Sequence, residues 1–568
     1  MDRKRRQAVI GSAVVAVIIL VAIVVMVVKH FTPSKEIMEL NDYYQVEGEE
    51  LLIFMENELY EKKGLYIDNT IYVDIDTVQE YINKRFYWDN IENILVYTTP
   101  TEIIKAQVGA ASYAVNKSEV KTSYPIVKTN GQEVYVALEF VKQYSNVEYE
   151  LFLEPNRVVL NCNWGEEYLY AEASKDLSVR YEANIKSPIL AEVKAGDLLI
   201  FSGEAEETKG FVKVMTKDGV IGYAKQKYLR DSYYVTLEND YVEPVYTSIS
   251  KNQTINMVWH QIFSQSGNDN IMTFLENTKG INVISPTWFS IKNEDGEITS
   301  LASEKYVERA HNQGIDVWAL VNDFETSIDK VKLFGRTSSR ERLSNELIAA
   351  AIRYNLDGIN IDFEKITQDT SEGYVQFLRE LSVKCRNNGI ILSVDNYIPA
   401  PYNMFYDREE QGVVADYVIC MAYDEHFAGS EESGSVASIS YVQKGLADSL
   451  KEVPAEKLVM ALPFYTRLWK EVNDGESVKV TSEAYSMPKA AELMMNKGVE
   501  LVWNEEAGQY YGQYEEDGAT YKMWLEDDRS YELKLEAVFS EKVAGVAAWK
   551  LGLENTSVWN VINKYTNN

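Results

Sequence analysis

The densest chemistry in the chain lies in nine residues, Leu356-Asp357-Gly358-Ile359-Asn360-Ile361-Asp362-Phe363-Glu364. Read as a β-strand, they alternate between two faces. Ile359, Ile361 and Phe363 share one face; Gly358, Asn360, Asp362 and Glu364 share the other. The flanking pattern predicts a strand buried on both faces. Carboxylates turned inward are costly to desolvate, so they need partners or a task. Asp362 and Glu364 stand two residues apart on one face, and mutual repulsion is expected to raise the pKa of one of them. A carboxyl that keeps its proton near neutral pH can serve as a general acid. Asp357 has the opposite parity and reads as architecture at the strand's start.

Such a strand needs a scaffold that aims its acidic face at a substrate. From Thr254 onward, apolar strand patterns alternate with helical ones. Eight strands are predicted: Asn256–Gln261, Ile281–Thr287, Asp316–Asn322, Gly358–Glu364, Ile390–Asn396, Tyr417–Tyr423, Leu458–Tyr465 and Gly545–Leu551. Helices are predicted over Arg342–Tyr354 and Tyr374–Cys385, among others. Three helix-to-strand joints read Gly-Ile, at residues 280–281, 314–315 and 389–390. Glycine there ends a helix in the left-handed conformation. The alternation predicts an α/β fold, a (β/α)8 TIM barrel. Residues Trp469–Lys542 are too long for one helix, so an α+β insertion is expected between strands seven and eight. Active sites of such barrels lie at the C-terminal strand ends. Those ends carry Gln261, Thr287-Trp288, Asn322-Asp323, Asp362 with Glu364, Asn396-Tyr397, Met421 to Asp424, Tyr465 to Arg467, and Trp549. The chain has four histidines, and setting aside His30 and the helical His311 leaves His260 and His426. A zinc hydrolase site usually takes three protein ligands, rich in His. No metal and no other cofactor is expected.

The rest of the chain bounds where this chemistry takes place. A net charge of −31 argues against nucleic acid or anionic lipid as partners. Residues Ala8–Val28 form an apolar run of 21 residues, enough to cross a bilayer core of about 30 Å. Arg3, Lys4, Arg5 and Arg6 precede it and place the N-terminus in the cytoplasm. The run exceeds the apolar region of a signal peptide and no small-residue cleavage site follows, so an uncleaved single-pass anchor with an extracellular bulk is expected. Cys162, Cys385 and Cys420 are too few and scattered for a disulfide framework. Between residues 49 and 162 a repeat runs at an offset of 63: Ile71-Tyr72-Val73 matches Val134-Tyr135-Val136, and Val78, Tyr81 and Asn83 match Val141, Tyr144 and Asn146. Each copy reads strand, short helix, two strands, with hairpin turns at Asp68-Asn69 and Asn130-Gly131. This block resembles the N-terminal domain of copper amine oxidases, without copper, since no histidine lies between His30 and His260. Short strands from 163 to 232, including Gly210-Phe211-Val212-Lys213-Val214 and Gly222-Tyr223-Ala224, are similar to the bacterial Src-homology-3-type wall domain, whose usual Trp is replaced by Phe211. The expected order is tail and anchor 1–30, spacer 31–48, repeat domain 49–162, small barrel 163–232, linker 233–253 and barrel 254–568.

The strand Asp357–Glu364 also resembles the signature strand of glycoside hydrolase family 18, Asp-Gly followed by alternating acids that end in the catalytic Glu. Met421-Ala422-Tyr423-Asp424, Leu462-Pro463-Phe464-Tyr465 with Arg467, and Trp549 extend the resemblance to the C-terminus. Asp424-Glu425-His426 and Trp503–Ser530 are most similar to the spore-cortex-lytic and related wall-hydrolase branch. The family's third Asp is Asn360 here. The resemblance implies retaining, substrate-assisted hydrolysis of β-linked N-acetylglucosamine polymers, an exception to the two-carboxylate scheme. Glu364 would be the acid and base, Asp362 would hold the acetamido N–H, and Tyr423 would steer the acetamido oxygen. Trp549 would floor the sugar, and Asp424, Tyr465 and Arg467 would contact hydroxyls. Asn360 would connect Asp362 to the interior, and Asn322 and Met421 complete the expected substrate contacts. Peptidoglycan is the implied substrate. A chitinase or endo-β-N-acetylglucosaminidase is one alternative; a non-catalytic wall-glycan-binding protein is another, which needs no proton donor.

Overall fold

The computed structural model describes residues 3–203, 207–473, 475 and 477–567. The chain divides into two compact units. The first comprises Met1–Phe86, Ala106–Tyr113 and Glu119–Glu243, and the second Tyr87–Lys105, Ala114–Ser118 and Pro244–Asn568. Met1, Asp2 and the Lys4 side chain, part of the expected basic tail, lie outside the described residues.

The first unit opens with the helix Arg3–Phe31. Its apolar side chains from Val9 to Val28 are exposed all round, as the uninterrupted apolar run predicts. The expected spacer 31–48 is instead packed. Its apolar residues Leu40, Tyr43, Tyr44 and Val46 join Leu52, Phe54, Met215 and Ile221 in one cluster. The Tyr44 hydroxyl donates to Gly219 O at 3.0 Å and accepts from Ile221 N at 3.0 Å, which fixes the segment. The repeat folds as read. Thr70–Asp74 and Glu133–Ala137 pair antiparallel with Val73 opposite Val136. Residues equivalent in the repeat thus face one another, as they do about a local twofold axis. Asp68 and Asn69 form the first turn at positive φ (50° and 62°). In the second, Asn130 pairs with Glu133, so Gly131-Gln132 is the turn, one residue beyond the expected pair. The block 49–162 is divided between the units, because Tyr87–Lys105 clusters with the second. A seven-stranded antiparallel sheet spans 167–236 around Val179, Leu199, Val212, Val214 and Ala224. Its last strand, Tyr233–Thr236, pairs with Glu167–Glu172 and takes in residues expected to begin the linker.

In the second unit eight parallel strands close on themselves: β1 (Ile255–His260), β2 (Val283–Ile291), β3 (Asp316–Asn322), β4 (Gly358–Asp362), β5 (Ile391–Tyr397), β6 (Tyr417–Met421), β7 (Leu458–Pro463) and β8 (Gly545–Trp549). β8 pairs with both β7 and β1, which completes the barrel. Alternation sorts each strand. Ile359, Ile361 and Phe363 of the β4 segment lie under the surrounding helices. Trp259, Trp318, Leu320, Tyr417, Ile419 and Val459 fill the interior. Gly358 is required at the base of β4, where a Cβ would stand 2.7 Å from the Trp318 ring. All three joint glycines are left-handed, with φ of 75°, 73° and 68° at Gly280, Gly314 and Gly389, but Gly389 caps its helix directly, whereas Gly280 and Gly314 lie in the turns beyond helices that end at Leu275 and His311.

Several boundaries move. The helices run Thr337–Tyr354 and Gln368–Asn388, each beginning at least five residues before the apolar stripe that revealed it. Their first turns are polar and are held by capping rather than burial of an apolar face: Asp89 accepts from Thr337 N and Oγ1 at 2.6 and 2.7 Å, and Thr367 and Thr370 form a capping box. The seventh strand stops at Pro463, and Tyr465–Asn473 already belongs to the inserted five-stranded sheet. That insertion therefore runs from Tyr465 to Leu525, not Trp469 to Lys542. The helix Asp528–Phe539 returns to the barrel through Tyr531, whose ring lies 5.3 Å from Phe464.

Candidate active site

A cavity of about 220 Å3 opens at the C-terminal end of the strands. It is lined by Trp259, Gln261, Phe324, Asp362, Glu364, Asp395, Tyr397, Met421, Tyr423, Asp424, Tyr465 and Trp549. β4 ends at Asp362, so Glu364 stands on the turn that leaves it. Asp323, at the end of β3, holds that turn. Its carboxylate accepts from Glu364 N at 2.9 Å and from Lys365 N at 3.1 and 3.2 Å, and Lys330 pairs with it at 3.0 Å. The Tyr397 hydroxyl donates to Glu364 Oε2. The proton-bearing candidate is thus gripped at backbone and side chain by two different strands.

Below it, Asn360 is fully buried and every polar position of its amide is used. Its Oδ1 accepts from Trp259 Nε1 at 2.9 Å and Ser285 Oγ at 3.1 Å; its Nδ2 donates to Ser393 Oγ at 3.1 Å and Asp395 Oδ1 at 2.7 Å. Asp362 and Asp395 are 6% and 2% exposed, and each keeps one buried oxygen, Oδ1 and Oδ2 respectively, without a hydrogen-bond partner. Across the mouth, Tyr465 donates to Asp424 Oδ1 at 2.5 Å, and the Tyr423 ring stands edge-on to Tyr465 at 6.3 Å. Trp549 is half-buried beside Trp259, ring centres 5.9 Å apart.

Burial dominates the electrostatics. It raises the Asp362 carboxyl far above the usual carboxylate range, helped by the charges of Asp395, Glu364 and Asp323, in that order. Glu364 is raised too, first by burial, with the Tyr397 hydrogen bond and Lys365 pulling the other way. Asp395 is raised by burial against the opposing hydrogen bond from Asn360. The expected repulsion between Asp362 and Glu364 is therefore present but secondary, and Asp395 acts on Asp362 more strongly than Glu364 does. The Tyr397 and Tyr465 hydroxyls are pushed up by burial and by their carboxylate partners, so both remain donors.

Seven expected site residues, Glu364, Asp362, Tyr423, Asp424, Tyr465, Met421 and Trp549, share this cavity. Three do not line it. Asn360 lies beneath and bonds Asp395, rather than leading Asp362 into the interior as expected. Asn322 donates to Phe289 O at 3.2 Å and accepts from Phe324 N at 3.4 Å, so it shapes the loop that carries Phe324. Arg467 lies on the inserted sheet and donates to Ser482 Oγ at 3.3 Å. Both stand at strand ends in sequence, but the chain turns before their side chains reach the mouth. Asp395 is absent from the expected set and Tyr397 is expected at a strand end without a role, although the alternation that selected Asp362 and Glu364 also puts Ser393, Asp395 and Tyr397 on one face of β5. Asp357, as its parity implied, lies at the other end of β4, where its carboxylate bonds His311 Nε2 and Val317 N, both at 2.8 Å. His260 pairs with the Tyr306 hydroxyl at 2.8 Å and burial lowers it to about 4; His426 Nδ1 bonds Ser435 O at 2.9 Å. Among the described residues no group of His, Cys, Asp and Glu has the geometry to hold a metal.

A barrel with an acid on the turn after β4, above buried carboxylates, matches one family over residues 246–554: glycosyl hydrolases family 18. The chain belongs to that family. Family 18 membership makes it a glycoside hydrolase. Residues 54–151 match the copper amine oxidase N-terminal domain. Among curated relatives, the chain is 27% identical over 301 residues to the uncharacterized glycosylase YvbX of Bacillus subtilis (strain 168), covering 50% of this chain and 85% of that one. It is 28% identical over 152 residues to the cortical fragment-lytic enzyme of the same organism, covering 26% of this chain and 35% of that enzyme. The barrel also superposes on the crystal structure of a C-terminal domain from Desulfitobacterium hafniense DCB-2 with a TM-score of 0.51 at 20% identity, covering 55% of this chain and 99% of that one, which establishes the fold.

Proposed function

We propose that this glycosidase hydrolyses β-linked N-acetylglucosamine polymers, with peptidoglycan as its substrate, by a retaining, substrate-assisted mechanism. One observation carries the reading: a carboxyl with a raised pKa, Glu364, shares a cavity with Asp362 and Tyr423, and Asp362 keeps a buried oxygen without a donor. Glu364 gives its proton to the leaving glycosidic oxygen. The acetamido oxygen of the substrate attacks the anomeric carbon as that bond breaks, forming a cyclic oxazolinium ion. The acetamido N–H supplies the donor that Asp362 Oδ1 lacks, and the Asp362 carboxylate faces the developing positive charge. Tyr423 orients the acetamido carbonyl. Water then opens the ring at the anomeric carbon and returns a proton to Glu364. Trp549 offers a ring face to the sugar, and Asp424, aligned by Tyr465, accepts from a hydroxyl. The cortical fragment-lytic relative supports a wall polymer over chitin.

The apolar helix Arg3–Phe31 anchors the enzyme in this reading, with the basic residues before it in the cytoplasm and the catalytic barrel outside. The sheet over 167–236 serves as the Src-homology-3-type wall module, and the repeat as a second accessory domain. The test is turnover of purified peptidoglycan and of chitin oligomers by the full chain in detergent. Wild-type protein releases reducing ends from peptidoglycan faster than from chitin, and Glu364→Gln loses about 10²–10⁴ in rate. Equal turnover by that variant overturns the mechanism; binding without turnover by the wild type favours a glycan-binding protein.

A further inference from the structure

Asp395 has no part in the reaction just described, yet it is placed as if it had one. It projects from β5 into the cavity beside Asp362, and both are almost wholly buried. One oxygen of each is without a donor. Asp395 Oδ1 is held by Asn360 Nδ2 at 2.7 Å, and the other amide hydrogen of Asn360 is committed to Ser393. Among the described residues no cation pairs with either acid. Lys330 is bound to Asp323, and the remaining groups around them are Asp323, Glu364 and the hydroxyls of Tyr397, Tyr406, Tyr423 and Tyr374. Two adjacent buried carboxylates cannot both carry charge without a cation, and the stable state of such a pair holds one proton.

We infer that Asp362 and Asp395 act as a pair that holds one proton, with Asp395 the positioning residue that lets Asp362 change its charge during the reaction. At rest, the amide of Asn360 donates to Asp395 and keeps the negative charge there, so the proton sits on Asp362. When the acetamido N–H of the substrate approaches Asp362, the proton passes from Asp362 to Asp395. The pair remains at one negative charge, and that charge moves to the side of the developing cation. No proton is gained from or lost to solvent. The family's strand has an acid where Asn360 stands; in this chain the acid sits on the neighbouring strand, at the far end of the same hydrogen bond. This inference rests on the proposed acetamido mechanism.

The test exchanges the two ends of that bond. Asp395→Asn is nearly isosteric, and its kcat on peptidoglycan is expected to fall about 10²-fold with KM little changed. Its alkaline limb should move to lower pH, because a negative charge beside Glu364 is gone and that carboxyl ionises more easily. The double variant Asn360→Asp/Asp395→Asn restores one acid and one amide and should recover at least about tenfold of the loss, whereas a side chain that merely packs would not be rescued by a second change. Asp395→Asn within twofold of wild type with an unchanged pH profile overturns the pair, and so does a double variant no better than the single one. A second measurement does not depend on turnover. In the Glu364→Gln background, a protonated-carboxyl infrared band near neutral pH should be present and should vanish when Asp362 and Asp395 are both replaced by Asn. Its absence before that replacement overturns the inference even if the wild type hydrolyses the polymer, and its presence alongside a wild type that does not hydrolyse the polymer overturns the proposed function alone.

Discussion

Two of the acid clusters buried in the second unit are built in opposite ways. Glu526 is 2% exposed and fully answered: Lys534 pairs with it, Gln509 Nε2 donates to Oε1, and Ser530 Oγ donates to Oε2 at 2.8 Å. Asp362 and Asp395 are also buried, but each has an oxygen left bare and, among the described residues, neither pairs with a cation. The first cluster ties the inserted sheet to the barrel helix Asp528–Phe539 and to Gln509, which itself holds Ser435. The second is held from below through Asn360 and opens into the cavity. A satisfied buried carboxylate stabilises geometry; an unsatisfied one is a binding position kept ready at a cost in stability. The same contrast recurs along β4, where Asp357 has two partners at the strand's start and Asp362 lacks one at its end.

Substitutions can break this contrast. The largest effect on activity is Glu364→Gln, already described, which should leave the thermal midpoint almost unmoved. The largest effect on stability belongs to the satisfied cluster. Lys534→Met leaves Glu526 charged and unpaired, and chemical denaturation should report a loss of about 3–5 kcal/mol. A loss below about 1 kcal/mol would show that the two clusters are not the opposites described. Tyr397→Phe comes next. It removes the donor that stabilises ionised Glu364, so that carboxyl is raised further and the alkaline limb of the pH–rate profile moves to higher pH, opposite in direction to Asp395→Asn; an unmoved limb would mean that the Tyr397 contact does not tune Glu364. Asp395→Asn should also stabilise the fold by about 1 kcal/mol near neutral pH, or about 2 °C in the midpoint of this large domain. The sign follows from linkage. Asp362 and Asp395 bind protons more tightly when folded, so the wild type loses stability as pH rises above the ordinary carboxylate range, and removing one acid relieves that loss. A variant less stable than wild type at neutral pH, yet equal to it in acid, would contradict this. The smallest effect is Asp357→Asn, about 1 kcal/mol or less, with kcat unchanged.

What the sequence made legible follows the same physics. Short apolar runs alternating with helical patterns located all eight barrel strands, because a parallel barrel strand is buried on both faces and reads as a near-continuous apolar segment. Helix starts were hidden, because Thr337 and Thr367 work through hydrogen bonds and contribute nothing to an apolar stripe. Seven of the chosen site residues meet in the cavity since they lie on inward positions near strand ends. Arg467 and Asn322 were misplaced for a reason periodicity cannot supply: side-chain direction beyond the last paired residue depends on how the chain turns. Asp395 was readable by alternation but sits in Ser-Val-Asp-Asn-Tyr, a segment with no second acid to draw attention to it, and nothing in that segment gave Tyr397 a role. Partners across strands, such as Asn360 with Asp395, become visible only once register is known.

The central claim is that Glu364 protonates a glycosidic oxygen while the substrate's own acetamido group displaces it. Proton NMR of the first product formed by the full-length enzyme on peptidoglycan tests this most directly. The account predicts that the new reducing end appears as the β anomer before mutarotation. An α anomer as first product would mean single displacement by water and would contradict it.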